Sequence, residues 1–462
     1  MWNRKKKSGL LIMIAALPVF VFCGCQPTPD TPAVISKNDG AFEAALEVTA
    51  DGQASGTEDN FAEQADPVSL QETGTYTDSF TNTAGNVSFH VELDIPALTA
   101  NMPVLRVRAK TITSEKAKQV AEVLFGDADI YGYSKETAEV EESLCDWTFH
   151  PIDQDWYMGI DPEYTGDFNT QYLFAASERD GLPYIYIVSN REASDFRWHT
   201  ISCKTDSDLM KEKGMQEYST EEPTEEEIKE AQDQAQTLID AMDIGQWVIE
   251  SCDIEELPAS NPFDPDGDSS GNSTVYTIVV TACPVYNGVK VTHQQQIENL
   301  RSEDVYASNY PYEEITFYYS GGHLVSFYYE SPSEVVETVN ENVSILSFEE
   351  AMEKCRSYLQ MSLLTACTSS SQSFYGFEMF YQFVGKKVDI YQAELGLARI
   401  RVKDDPTDFY LIPAYTFRAY YALYDSNGNI LLDSRDVWPK VSDVLLVVNA
   451  VDGSIINTDL GY

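Results

Sequence analysis

The sequence predicts an α+β fold of antiparallel sheets with a few amphipathic helices. Three observations carry that prediction. Alternating runs rich in Tyr, Val and Thr, bounded by Gly, Asn and Asp turns, fill most of the chain. Three segments stand out with apolar residues at the 3–4 spacing of a helix face. The strands follow one another as hairpins, without the βαβ alternation of a doubly wound sheet. The apolar fraction of 43% supports a packed core. Most of the 28 Tyr and 21 Phe fall in the alternating runs, where packing between sheet neighbours is their expected use.

Taken in order, the body opens with a hairpin, Thr75 to Asn82 and Val87 to Leu93, turning at Ala84-Gly85-Asn86. A strand follows from Val104 to Thr111. The first helix runs from Ser114 to Phe125 with Ala117, Val120, Ala121 and Leu124 on one face. Residues 130–170 show no clear period. Strands resume at Tyr172 to Ala176 and Tyr184 to Ser189, joined through Arg179-Asp180-Gly181. The second helix starts at a capping box, Thr224 with Glu227, turns Ile228, Ala231, Ala235, Leu238 and Met242 inward, and ends at Gly245. Strands follow at Trp247 to Ile254, Thr274 to Val285, Ile315 to Tyr319 and Leu324 to Tyr329, the last two joined through Ser320-Gly321-Gly322. A third helix opens with the capping box Ser347 to Glu350 and carries Ala351, Met352, Cys355, Tyr358 and Leu359 inward. The rest is nearly all strand, with a hairpin at Asp425-Ser426-Asn427-Gly428 and a last strand, Val444 to Ala450, turning at Asp452-Gly453. Three helices, each followed by antiparallel strands, give a division into N-terminal (73–220), middle (221–340) and C-terminal (341–462) α+β units, with three related helix-plus-sheet repeats as one reading.

Ahead of this body, Asn3-Arg4-Lys5-Lys6-Lys7 forms a positive segment and Gly9 to Phe22 an uncharged apolar one of about 14 residues, the pattern of a signal peptide. A membrane-spanning helix needs about 20. The following Phe22-Cys23-Gly24-Cys25 resembles the lipobox of bacterial lipoproteins. Cys25 fits because the small Gly24 precedes it, whereas Phe22 precedes Cys23. The resemblance implies removal of residues 1–24 and a lipid on Cys25 that anchors the chain to the extracytoplasmic face of the cell membrane. An ordinary secretory cleavage is the alternative. Two acyl chains satisfy the condition for stable anchoring. Residues 25–72, beginning Cys25-Gln26-Pro27-Thr28-Pro29, are Pro-rich and then Gly-, Ala-, Ser- and acid-rich with few large apolar residues, and read as a flexible acidic tether.

Loss of residues 1–24 takes four cations and no acid, so the formal charge moves from −45 to −49. Such a body repels nucleic-acid phosphates and anionic headgroups, which argues against both as partners and favours basic peptides, basic protein faces or divalent cations. Solubility alone is the plainer account of the same charge. Six cysteines lie beyond Cys25: Cys145, Cys203, Cys252, Cys283, Cys355 and Cys367. They are too few for a disulfide scaffold, and no CxxC pair occurs among them. Their pairing stays open, and Cys355 on a helical apolar stripe fits a buried free thiol.

Candidate chemistry is sparse. Gly267-Asp268-Ser269-Ser270-Gly271 matches G-x-S-x-G, but a nucleophile elbow needs a strand before the Ser and a helix after it, and here a Pro-rich segment precedes and a strand follows. The weak Ca²⁺ candidates Asp264, Asp266 and Asp268 stand at positions 1, 3 and 5 of an EF-hand count, while Ser269 and Val275 replace the required Gly and Glu, so a solvated acidic turn is the plainer reading. His90, His150, His199, His293 and His323 form no metal-binding pair and read as strand residues with satisfied hydrogen bonds. No phosphate or dinucleotide fingerprint is present. The expectation is a non-enzymatic protein with no cofactor and no catalytic residue.

Three stretches together resemble an uncharacterised family of lipoproteins from Clostridia-type Gram-positive bacteria, classed as a domain of unknown function: Gly24 to Pro29, Tyr410-Leu411-Ile412-Pro413-Ala414-Tyr415, and Leu445 to Tyr462 with Asn449-Ala450-Val451-Asp452-Gly453. The C-terminal helix and sheet ending in an Ala-x-Asp-Gly turn is also similar to PepSY-type modules and to the exported YycH and YycI regulators. That similarity implies restraint of a membrane kinase or a peptidase, hence a membrane or cell-surface protein partner, and supplies no catalytic residue. The competing expectation is a ligand- or carbohydrate-binding surface protein using Trp147, Trp156, Trp198 and Trp247.

Overall fold

The computed structural model describes residues 74–98, 101–133, 149–151, 159–160, 169–192, 197–258, 274–292, 312–361, 383–402, 405, 407–436 and 444–456. The fold is α+β, and among the described residues the strands form two sheets. Numbered in chain order, the first sheet holds β1 (Thr75–Thr81), β2 (Val87–Asp94), β3 (Val104–Ala109), β15 (Ser333–Asn340), β16 (Gly385–Arg401), β17 (Asp408–Tyr424), β18 (Ile430–Asp433), β19 (Val444–Asn449) and β20 (Ile455–Ile456). The second holds β4 (Tyr131–Tyr133), β5 (Phe149–Pro151), β6 (Gly159–Ile160), β7 (Asn169–Arg179), β8 (Leu182–Glu192), β9 (Arg197–Thr205), β10 (Gln246–Pro258), β11 (Thr274–Tyr286), β12 (Val289–Lys290), β13 (Glu314–Ser320) and β14 (His323–Glu330). Helices α1 (Ser114–Phe125), α2 (Ser207–Glu212), α3 (Glu225–Ala241) and α4 (Phe348–Gln360) complete the set.

The sheets do not follow the expected divisions at 220 and 340. The first runs β1-β2-β16-β17-β19-β20, with β3 and β18 also on β17 and β15 on β3. It therefore joins the start of the body to its end, and β2 lies parallel to β16, with Phe89 against Val388. The second runs β10-β11-β13-β14-β9-β8-β7-β4-β5, so the strands on either side of residue 220 share one sheet through the β9–β14 pair. Each long helix is followed by an antiparallel meander, but the first two meanders merge into that sheet. The physical reason is that period-2 patterning states which face of a strand is buried and not which strand lies beside it.

Local chemistry sets the helices. Thr224 and Ser347 close reciprocal capping boxes with Glu227 and Glu350, which satisfies amides at each helix start. In α4 the spacing of Phe348, Ala351, Met352, Cys355 and Leu359 makes one buried stripe, set against Val388, Ile390, Tyr415, Phe417 and Val448 of the first sheet, whereas Tyr358, expected inward, is exposed and Phe348 takes the extra place. Burying a side chain the size of Phe348 contributes about 1.5–3 kcal/mol. Helices α1 and α3 lay Val120, Leu124, Ala235 and Ile239 on the second sheet, over Tyr184, Tyr186, Phe317 and Phe327.

The sheets meet along a seam. Beyond β2, the free side of β16 takes the chain just after β12: Val291 bridges Leu397, and the Thr292 amide donates to the Leu397 carbonyl at 3.0 Å. This approach needs Gly396, since a Cβ there would stand 2.5 Å from Thr292 Oγ1 and 2.8 Å from the Lys290 carbonyl. Met102, Leu105, Val289, Val291, Leu397 and Phe409 fill the seam's apolar part. Beside it Lys290 Nζ pairs with Glu250 at 2.5 Å and Glu394 at 3.4 Å, and Arg418 bonds Glu250 at 3.1 Å, so two cations and two acids neutralise each other where water is scarce.

Candidate functional site

Of the residues singled out in the sequence, Cys25, Asp264, Asp266, Asp268, Ser269, Trp147, Trp156 and His293 lie outside the described residues. Trp247 is a correction to the ligand-binding expectation: it is buried, packs edge-on against Tyr329 at 5.7 Å and donates its indole N–H to the Ile244 carbonyl, because the edge of the second sheet needs a large apolar group under it. Trp198 is half-buried with the Arg191 guanidinium 5.3 Å from its ring centre. His90, His150, His199 and His323 all lie on strands. Cys203, Cys252, Cys283 and Cys355 are free thiols, and Cys355 is fully buried in the α4 stripe. Among the described residues, no group of three or more His, Cys, Asp or Glu side chains is placed to hold a metal ion.

What the structure brings together, and the sequence reading missed, is a corner and an edge. The chain leaves the second sheet at the end of β14 and enters the first at β15 through Ser331 and Pro332. Ser331 is buried with φ of 53°, a left-handed conformation that a serine adopts only where its surroundings hold it. Its amide donates to the His199 carbonyl at 2.7 Å, and the Lys110 amide donates to the Pro332 carbonyl at 2.7 Å. His199 is itself fixed: Asn190 exchanges two hydrogen bonds with the backbone of Ile112, so its Oδ1 faces His199 Nδ1 at 2.8 Å as an acceptor, and Nδ1 must carry the proton.

Glu313 completes the corner. Its carboxylate accepts from Tyr286 at 2.8 Å and from Tyr329 at 3.2 Å. The Ser333 amide, the first of β15, donates to it as well. Burial lifts this carboxyl to a pKa of about 7 against the opposing pull of those donors and of the Arg399 charge. Arg399 lies 4.3 Å over the Tyr312 ring and 4.6 Å over that of Phe409.

From this corner β15 runs as an edge strand. Among the described residues it pairs with β3 alone. Its five central residues, Glu334 to Thr338, are all exposed, so neither face is covered. Val335 and Val336 are 43% and 40% exposed, adjacent apolar residues on an open strand. Two bulges interrupt its register with β3, at Val335/Glu337 and Thr338/Asn340. The edge strands β1 and β10 differ. β1 keeps one face partly covered, and the long edge strand β10 lies against α3.

Ion pairs hold β3 in place behind that edge. Asp408, fully buried at the start of β17, takes Arg108 Nε and Nη2 at 2.6 and 3.0 Å and stands 2.7 Å from Arg106 Nε. Arg106 also reaches Asp405 at 2.9 Å. Burial raises the Asp408 carboxyl, but the Arg108 and Thr407 hydrogen bonds outweigh it and hold the group below its ordinary range. Asp405 is likewise lowered, first by the Thr407 amide and hydroxyl. Both arginines are therefore engaged, which ties β3 to the start of β17. The signal for β15 was present as Val335, Val336, Thr338 and Val339 between Pro332 and Asn340, a β-branched run without alternation.

No family model matches the chain, and no curated protein does. A solved structure of an uncharacterized protein from Eubacterium rectale is similar over 80% of this chain and 90% of its own, with 11% identity and a TM-score of 0.42.

Proposed function

We propose that the chain is a non-enzymatic, extracytoplasmic lipoprotein, held at the cell membrane through Cys25, whose α+β body binds a protein partner by adding one of its strands to β15. The observation that carries this reading is the open strand itself: unpaired on one side among the described residues, exposed on both faces and paired from behind with β3. The pattern Phe22-Cys23-Gly24-Cys25 after a positive and an apolar segment supports the anchor. Strand addition supplies affinity through main-chain hydrogen bonds, so it needs no pocket and no catalytic group.

The test is photo-crosslinking in the native host from a reactive amino acid at position 336, compared with position 384, which is exposed just ahead of β16, in the wild type and in Cys25→Ala. One membrane or cell-surface protein captured from 336 in the anchored form is the expected result. No capture from 336 by a folded, anchored protein overturns the reading. A second reading, glycan binding, has one observation behind it: Tyr391 and Tyr420 stack at 4.5 Å, half-buried on the first sheet. A glycan array on the purified protein separates the two.

A further inference from the structure

We infer that the segment β15 accepts is a cationic, extended stretch of another protein. This deepens the partner-binding reading and rests on it. A bare strand edge is a liability. Unpaired amides and carbonyls in a row pair with any strand that arrives, and folded proteins blunt such rows with charge and with bulges. β15 carries both devices. Glu334 and Glu337 lie on it, Glu341 follows it, and the two bulges bend it.

These devices discriminate among strands. Arg106, Arg108 and Lys110, on β3 and just after it, are outnumbered by Asp405, Asp408, Glu334, Glu337 and Glu341, and in the β15–β3 register Glu334 lies opposite Arg108 and Glu337 opposite Arg106. The hydrogen bonds of Arg106 and Arg108 go to Asp405 and Asp408, so two guanidiniums meet four acids there and an excess of acid remains toward an arriving strand. A neutral strand arriving here partly desolvates the exposed Glu334 and Glu337 carboxylates without adding a cation to them, and an acidic one adds repulsion. A strand with Lys or Arg at alternate positions pairs with them directly, while its small apolar residues meet Val335 and Val336. A second copy of this chain is the occupant the charges disfavour most. Each copy carries −45, and antiparallel pairing of two β15 strands in the register that sets Val335 against Val336 sets Glu334 against Glu337 on both sides.

The probe is a fluorescent ten-residue peptide of alternating valine and lysine, compared with its valine–glutamate counterpart and with a version N-methylated along one edge, titrated into the full-length protein. The lysine peptide should bind and slow amide exchange within residues 333–340. Glu334→Lys together with Glu337→Lys should weaken it at least tenfold, although the total charge moves only from −45 to −41, and N-methylation should abolish binding. Both substituted positions are exposed, and an unchanged thermal midpoint confirms the fold. Binding that ignores the substitutions or the N-methyl groups is general attraction to an acidic protein and overturns the inference. Equal binding of the glutamate peptide overturns it too, as does a dimer in light scattering with 333–340 protected. If position 336 captures a partner in cells while the lysine peptide fails here, the charge inference falls and the strand-addition reading stands. If both fail, both fall.

Discussion

At the residue scale, one carboxyl is placed to report on pH. Glu313 has a folded-state pKa of about 7 against an ordinary 4.5, so between those values the folded protein holds a proton that the unfolded chain has released. Its contribution to stability is full below about pH 4.5 and is lost as the pH rises through about 7. Urea midpoints measured across that window should therefore fall with rising pH in the wild type and flatten in Glu313→Gln, which keeps the shape and cannot titrate. A slope unchanged in the variant assigns the dependence to another group. None of this was legible in the sequence. Glu313 is one of 75 acids, and only the meeting of Tyr286, Tyr329 and the Ser333 amide around it distinguishes it. Trp247 misled for the complementary reason: a tryptophan at a strand start looks the same in sequence whether its ring faces solvent or core. Cys355 was readable because its helix has a period, and the period says where it points.

At the scale of elements, the helices and most strands could be read directly, since each carries a local signal: Ser347 and Glu350 for the start of α4, Gly428 with φ of 84° in the turn before β18, alternation along β2. β15 escaped because alternation appears only where one face is buried, and here neither is. The seam between sheets depends on a position with no local signal at all. Gly396 sits within β16 and is needed because the Thr292 hydroxyl and the Lys290 carbonyl come too close for any side chain. Gly396→Ala should lower stability by about 1–3 kcal/mol, the usual penalty of overpacking. Adding Thr292→Ala should restore only part of it, because the backbone carbonyl of Lys290 cannot retreat as a side chain can. Chemical denaturation of the single and double variants measures both, and full rescue would place the clash at Thr292 alone.

At the scale of the whole molecule, pairings between distant segments were beyond reach: nothing in Val87 to Asp94 announces that it will lie parallel to a strand some 300 residues later. The α+β class was legible because composition and period set it. The arrangement of the two sheets was not, because it depends on which edges meet. That arrangement has one more consequence. β3 and β15 run antiparallel, with Ala109 opposite Ser333, and everything between them returns to its starting point, where Lys110 and Pro332 share a hydrogen bond. The core formed by α1, α3 and the second sheet draws only on residues from Ile112 to Tyr329. The second sheet is thus a guest whose two ends leave the host through one doorway, the topology of a module spliced into a surface hairpin. Residues 110–332 expressed alone should melt cooperatively in calorimetry, and absence of a transition would show that the guest needs its host. If the guest folds alone, β3 and β15 are the arms of the hairpin that received it, and the strand left open at the doorway is the one we propose receives a partner.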